Sequence, residues 1–240
     1  MFTLITGASR GIGKETALYF AQQKHNLILL CKNNYESLLE YSRELTKYDI
    51  ICHVFKCDIS NYNEVESLWN TLSSMNIKVN ILINNAGISH IGLLQDMDVL
   101  EWQTIINTNL NSLFYMAKHA IPSMISAKNG RIINISSIWG DVGASMEVAY
   151  SASKGGVNAF TKALAKELAP SNISVNAISF GAIDTEMNSH LSAEERMELE
   201  AFIPASRYGT TKECAKLIYD IAHTASYLTG AIITMDGAFI

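Results

Sequence analysis

The chain has 240 residues, 48% of them hydrophobic and 17% charged, with 18 basic and 23 acidic residues for a net charge of −5. This apolar share supplies a large core and excludes an intrinsically disordered chain, and 14 glycines with 3 prolines are too few for a low-complexity or collagen-like protein. The acidic balance argues against a general nucleic-acid binder, which needs a basic surface to displace counterions.

In chain order, short apolar runs alternate with amphipathic stretches. Phe2 to Thr6 precedes a helical pattern from Gly13 to Lys24, and Leu27 to Cys31 precedes Glu36 to Tyr48. His53 to Cys57 leads to Asn61 to Met75, and Ile81 to Asn84 leads, after a loop, to a long helical stretch from Leu100 to Ala127. Arg131 to Ser136 is followed by Ala152 to Leu168. Ser174 to Ile178 is followed by a variable region, a helix near Lys212 to Ala222 and a last strand at Ile232 to Met235. Many of the strands are continuously apolar, the pattern of strands covered on both faces. The order predicts one α/β domain over 1–240, a doubly wound parallel sheet flanked by helices. The segment from Phe180 to Tyr208 has no strand signal and lies beyond a strand end, where such folds place ligands, so 184–208 is read as a substrate lid.

No apolar run approaches the ~18 residues of a spanning helix. The strand pattern starts at Phe2, so neither membrane insertion nor a secretory signal is expected, and the expected location is cytoplasmic. Cys31, Cys52, Cys57 and Cys214 show no CxxC spacing and are read as reduced core thiols. The histidines at 25, 53, 90, 119, 190 and 223 form no HExxH, so no metal site is expected.

Between the first strand and first helix stands Thr6-Gly7-Ala8-Ser9-Arg10-Gly11-Ile12-Gly13. Glycines let main-chain N–H groups approach an anion, and a helix start adds unpaired donors and the positive dipole end. This is either an ordinary glycine-rich turn or a pyrophosphate cradle. Tyr150 and Lys154 stand at i and i+4, on one face if the stretch is helical. An ammonium beside a phenol is expected to lower its pKa from the usual ~10 and to fit it for proton transfer. In isolation such a pair is commonly surface decoration.

Together the T-G-x-x-x-G-x-G loop, Asn84-Asn85-Ala86-Gly87 after the fourth strand and Tyr150-x-x-x-Lys154 resemble the short-chain dehydrogenase/reductase family, over residues 2–240. The resemblance implies a Rossmann-type fold and a nicotinamide cofactor. It implies cofactor contacts at Gly7, Ser9, Arg10, Gly11, Ile12 and Gly13, and at Asp58 and Ile59 beside the adenine. Further contacts follow at Asn85, Ala86 and Gly87, at Tyr150 and Lys154, and at Ile183 and Thr185. Asp58 is either this adenine contact or a helix-start cap, or both. The family often has an acid after the second strand to hold ribose hydroxyls; here Cys31-Lys32-Asn33 has none. Lys32 and Arg10 could pair with a 2′-phosphate, so the cofactor is expected to be NADP(H).

The resemblance also implies a catalytic set of Asn109, Ser137, Tyr150 and Lys154. Ser137 precedes Tyr150 by 13 positions and would orient a substrate carbonyl. Ser136 competes, and strand alternation sends the two side chains to opposite faces. Asn109 is either a proton-relay residue that holds a water or an amide that bends or caps a helix. Phe180 stands where most relatives have proline, which leaves the shape of that loop open.

Within the family the chain is most similar to 3-oxoacyl-acyl-carrier-protein reductases, through Ile203-Pro204-Ala205-Ser206-Arg207-Tyr208-Gly209 and Leu228-Thr229-Gly230 to Asp236-Gly237. NADPH-dependent reduction of a ketone is the implied activity. Acyl carrier protein is an implied partner; Lys128 matches one basic docking position, and the other is Ser171. The alternatives are reduction of a sugar, polyol, steroid or small ketone, and, more remotely, a non-catalytic NADP-binding sensor. The resemblance implies a homotetramer built on the two long helices, with Gly237-Ala238-Phe239-Ile240 near another subunit.

Overall fold

The computed structural model describes residues 1–189 and 191–240; His190 lies outside them. Seven parallel strands make one sheet: β1 (Phe2–Thr6), β2 (Asn26–Cys31), β3 (Cys52–Lys56), β4 (Val79–Asn84), β5 (Gly130–Ser137), β6 (Ile173–Phe180) and β7 (Ile232–Met235). Their spatial order is β3-β2-β1-β4-β5-β6-β7. The order reverses between β1 and β4, so a crevice opens at their carboxyl ends, where this architecture binds ligands.

Side chains alternate along each strand and feed two cores. Leu4, Ile28, Leu30 and Leu82 face one layer of helices, α3 (Tyr62–Ser74), α5 (Ser112–Ala127) and α7 (Val148–Leu168). Ile5, Leu27, Leu29 and Ile83 face the other, where α1 (Gly11–Gln22), α2 (Tyr35–Leu45) and α9 (Thr211–His223) pack. Burial on both faces is the reason these strands are apolar at consecutive positions. The central strands also carry buried amides. Asn84 donates to Asn134 at 2.9 Å, and Asn134 donates to Thr161 at 2.9 Å, which fastens β4, β5 and α7 together. All eight residues of β6 are buried. Asn176 within it donates to the Leu228 carbonyl at 2.8 Å and accepts from Ala231 N at 3.0 Å.

Three departures from the sequence reading bear on the site. The stretch expected as one helix over 100–127 is divided into α4 (Val99–Ile106), a π turn (Asn107–Asn111) and α5. The helix expected from Ala152 starts at Val148, so Tyr150 belongs to its first turn. A short helix, α6 (Trp139–Val142), follows β5 without having been signalled by periodicity. Asn61 caps α3, its side chain accepting from Asn63 N at 3.0 Å. Asp58 instead closes a turn onto Ser60, accepting from its N–H at 3.0 Å and its hydroxyl at 2.6 Å. Beyond β6 the chain makes a 3-10 turn (Glu186–Asn188) and α8 (Ala193–Phe202), within the segment read as a lid.

Candidate active site

The loop after β1 is built by contacts that tolerate no side chain. Gly7 has φ +65°, and a Cβ there would lie 2.9 Å from Ala86 Cα. A Cβ on Gly13 would lie 2.3 Å from the Gly7 carbonyl oxygen. Asn85 holds this loop from β4, its side-chain amide donating to the carbonyls of Thr6 at 2.9 Å and Gly7 at 3.2 Å. The Thr6 hydroxyl accepts from the N–H groups of Asn85 and Ala86, both at 3.0 Å. Arg10 precedes α1 without a side-chain cap, so the helix start presents its free donors toward the crevice. The tight glycine cradle at an uncapped helix start fits a pyrophosphate.

A cavity of about 600 Å³ runs from this loop across the carboxyl edge of the sheet. Its wall contains every residue that the sequence singled out for cofactor or catalysis except Gly13 and Asn109. Gly13 acts behind the wall, through Gly7. Asn109 also lies behind it, 1% exposed in the π turn. Its side chain accepts from Ile88 N at 2.9 Å and donates to Ile88 O at 2.8 Å and to Ser153 at 3.0 Å. Asn109 thus clamps the loop after β4 to α7. A π turn of this kind frequently marks a functional site. A Cβ on Gly87 would lie 3.4 Å from Lys154 Nζ and 3.5 Å from Asn109 Oδ1, so the two side chains flank one spot.

At the other end of the cavity β5 and α7 meet. Ser136 and Ser137 diverge as strand alternation requires. Ser136 is bonded into α7 through Asn158, at 2.6 Å, while Ser137 lies beside the Tyr150 hydroxyl. Ser137 Oγ accepts from Trp139 N at 3.2 Å. Lys154 is 3% exposed, rare for a lysine, and donates to the Ile135 carbonyl at 2.8 Å. Its ammonium lies 5.5 Å from the centre of the Tyr150 ring.

The electrostatics correct one expectation. The Tyr150 phenol is not lowered by Lys154. Burial pushes it up to about 12; the Ser137 hydroxyl acts against this shift and the Glu147 carboxylate adds to it. Burial also brings Lys154 down to about 8. Loss of hydration is the first cause of both shifts, and the ammonium gives a hydrogen bond to the Ile135 carbonyl. Tyr150 is thus a protonated phenol at neutral pH.

At the opposite end, the two cations expected to meet a 2′-phosphate each hold a carboxylate. Lys32 pairs with Asp58 at 2.7 Å and Arg10 with Glu186 at 3.2 Å. Burial raises the Asp58 pKa, but hydrogen bonds from Lys32 and Ser60 prevail and hold it below the usual value. Ile183 and Thr185 border the cavity from the chain that leaves β6. Phe180, in place of proline, extends β6 by pairing with Ser137 and Met235 and buries its ring in the core.

The residue pattern and the geometry agree with what comparison finds. The family model for short chain dehydrogenase matches residues 2–196. The chain belongs to the short chain dehydrogenase family. An uncharacterized oxidoreductase, YmfI of Bacillus subtilis, is 36% identical over 238 residues, spanning 98% of this chain and 97% of that protein. The 3-oxoacyl-[acyl-carrier-protein] reductase FabG of Thermotoga maritima is 36% identical over 241 residues, spanning 99% of this chain and 96% of the other. Among solved structures, a short-chain type dehydrogenase/reductase from Mycobacterium marinum superimposes with a TM-score of 0.91 at 31% identity, covering 99% of this chain and 94% of that one. Membership makes the protein an oxidoreductase that works with a nicotinamide cofactor, NAD or NADP.

Several lining residues of this dehydrogenase were not legible beforehand. Glu147 and Ser89 line the chemical end, as do Trp139 and Phe239. Phe239, expected near another subunit, packs edge-on against Trp139 with ring centres 5.7 Å apart. No residue spacing joins positions 139 and 239; only the fold does. Among the described residues no helix is long and apolar enough to cross a membrane.

Proposed function

We propose that the protein reduces a ketone to a secondary alcohol with NADPH, and that its substrate is a 3-oxoacyl thioester. The observation that carries this reading is the convergence of Ser137, Tyr150 and Lys154 on one end of a cavity whose other end is the glycine cradle. Bound NADPH supplies the hydride. The Ser137 hydroxyl hydrogen-bonds the substrate carbonyl and stabilises negative charge as it grows on oxygen. Tyr150, a protonated phenol with its pKa near 12, gives its proton to that oxygen. Lys154 keeps N–H groups beyond the one given to Ile135, and these would hold the nicotinamide ribose hydroxyls. Its lowered pKa suits it to pass a proton back to Tyr150, with Asn109 holding the relay water beside it.

The preference for NADPH rests on Arg10 and Lys32 at the adenosine end. The Arg10–Glu186 pair is exposed at both ends and the Lys32–Asp58 pair on its lysine side, and surface pairs contribute little, so a 2′-phosphate with up to two charges can compete with the carboxylates. The loop after β6 and α8 would fold over the substrate as a lid. The thioester reading draws on FabG as a relative, and acyl carrier protein would dock near Lys128, whose carbonyl accepts from Asn172 at 3.0 Å. Phe114 and Ile125 are exposed on α5, as an apolar face used for tetramer assembly would be.

Steady-state kinetics with both cofactors and a panel of acetoacetyl thioester, small ketones, sugars and steroids test the reading. NADPH and the thioester are expected to give the highest kcat/KM. A preference for NADH, or for a sugar, would contradict the corresponding half of the proposal.

A further inference from the structure

Three carboxylates line the cavity, and they differ. Asp58 and Glu186, at the adenosine end, each pair with a cation. Glu147, at the chemical end, pairs with no cation among the described residues; the Ser89 hydroxyl donates to it at 2.7 Å. It stands three positions before Tyr150 at the head of α7, partly buried. Its charge reaches the phenol, whose pKa it helps to raise. The cation lining this end is Lys154, buried and turned to the Ile135 carbonyl. The end of the cavity where a ketone must sit to meet Tyr150 therefore holds a carboxylate that no cation pairs with among the described residues. A partly dehydrated cavity screens that charge less than open water does.

A 3-oxo acid bears its own carboxylate two carbon–carbon bonds from the ketone, a separation of about 2.5 Å. That charge therefore enters the end of the cavity that Glu147 lines. A thioester, ester or amide of the same acid is neutral there. We infer that Glu147 is a specificity-determining residue that rejects substrates with a free carboxylate beside the ketone and admits them once the carboxyl is masked. This inference rests on the ketone-reduction reading and defines its substrate class by charge. Rejection by an unpaired like charge is a common device of selectivity.

The test compares ethyl acetoacetate with acetoacetate on the NADPH-loaded enzyme, in the wild type and in Glu147→Gln. The wild type is expected to prefer the ester by about 100-fold in kcat/KM, and Glu147→Gln to shrink that preference about tenfold by improving acetoacetate. Equilibrium binding of 3-hydroxybutyrate against its methyl ester reads the same charge without turnover. There Glu147→Gln should tighten the acid about tenfold relative to the ester, and Glu147→Asp should keep the wild-type ratio. Equal use of acid and ester by the wild type, or ratios unchanged in Glu147→Gln, overturns the inference alone. If NADPH binds and neither ketone is turned over, the ketone-reduction reading falls and the inference with it.

Discussion

The two sides of the cavity are held by different kinds of force. The loop after β1 is fixed by main-chain contacts: Gly13 against the Gly7 carbonyl, Asn85 on the carbonyls of Thr6 and Gly7, and Thr6 on two N–H groups. The covering segment beyond β6 is held mostly at the surface. α8 has no buried residue, and Arg196 joins it to Asp184 at 3.0 Å and stacks 4.5 Å over the Tyr208 ring. The first side resists change because its close approaches leave no room for a Cβ at Gly7 or Gly13. The second can move and be rebuilt, because exposed ion pairs contribute little and are readily exchanged. An enzyme family that keeps one cofactor and varies its substrates needs this division.

The largest expected effect on cofactor binding lies on the anchored side. Gly13→Val forces a side chain into the Gly7 carbonyl and should weaken nicotinamide cofactor binding at least 100-fold, as read by fluorescence titration. Binding within threefold of wild type would break the contrast. Lys154→Met comes next. It removes a buried ammonium, so turnover should fall about 100-fold while the melting temperature holds or rises, measured by calorimetry.

A third prediction concerns pH, at the far edge of the anchored half. His223 Nδ1 bonds the Tyr219 carbonyl at 2.7 Å and must carry a hydrogen, so its Nε2 accepts from His25 Nε2 at 3.1 Å. His25 Nδ1 then accepts from the Thr3 hydroxyl at 3.0 Å. Burial first, then the charges of His223 and the amino terminus, bring His25 from 6.5 down to about 4. Between these values the unfolded chain binds more protons. Stability present above pH 6.5 is thus lost as pH falls toward 4, by about 1–3 kcal/mol. Denaturant unfolding at several pH values should show this slope, and His25→Gln should flatten it. The smallest effect is expected on the covering segment: Arg196→Ala should change KM two- to fivefold and leave kcat unchanged. A collapse of kcat would place that segment in the anchored class.

The same division explains what could be read from the residues in advance. The sheet was legible because strands buried on both faces must be apolar at successive positions, as β2 is. The cradle was legible because only glycine tolerates the approach of Gly7 to Ala86 and of Gly13 to Gly7. Ser137 was separable from Ser136 by strand alternation and spacing. The π turn at Asn109 was not legible as such, since the clamp of Asn109 on Ile88 and Ser153 joins positions far apart in the chain. The direction of the Tyr150 shift was missed because a pair at i and i+4 reveals nearness but not the loss of hydration that raises the phenol. Glu147, Trp139 and Phe239 carry no local signal of facing a ligand; the tertiary fold alone brings them to the cavity.

The measurement that bears most directly on the central claim is single-turnover reduction of acetoacetyl thioester by the NADPH complex of Tyr150→Phe. The variant keeps the ring and loses only the proton donor. NADPH binding should stay within about threefold of wild type, and the rate of cofactor oxidation should fall at least 1,000-fold. Oxidation at a rate close to wild type would show that the carbonyl oxygen takes its proton from another group, and the assignment of Tyr150 would be wrong.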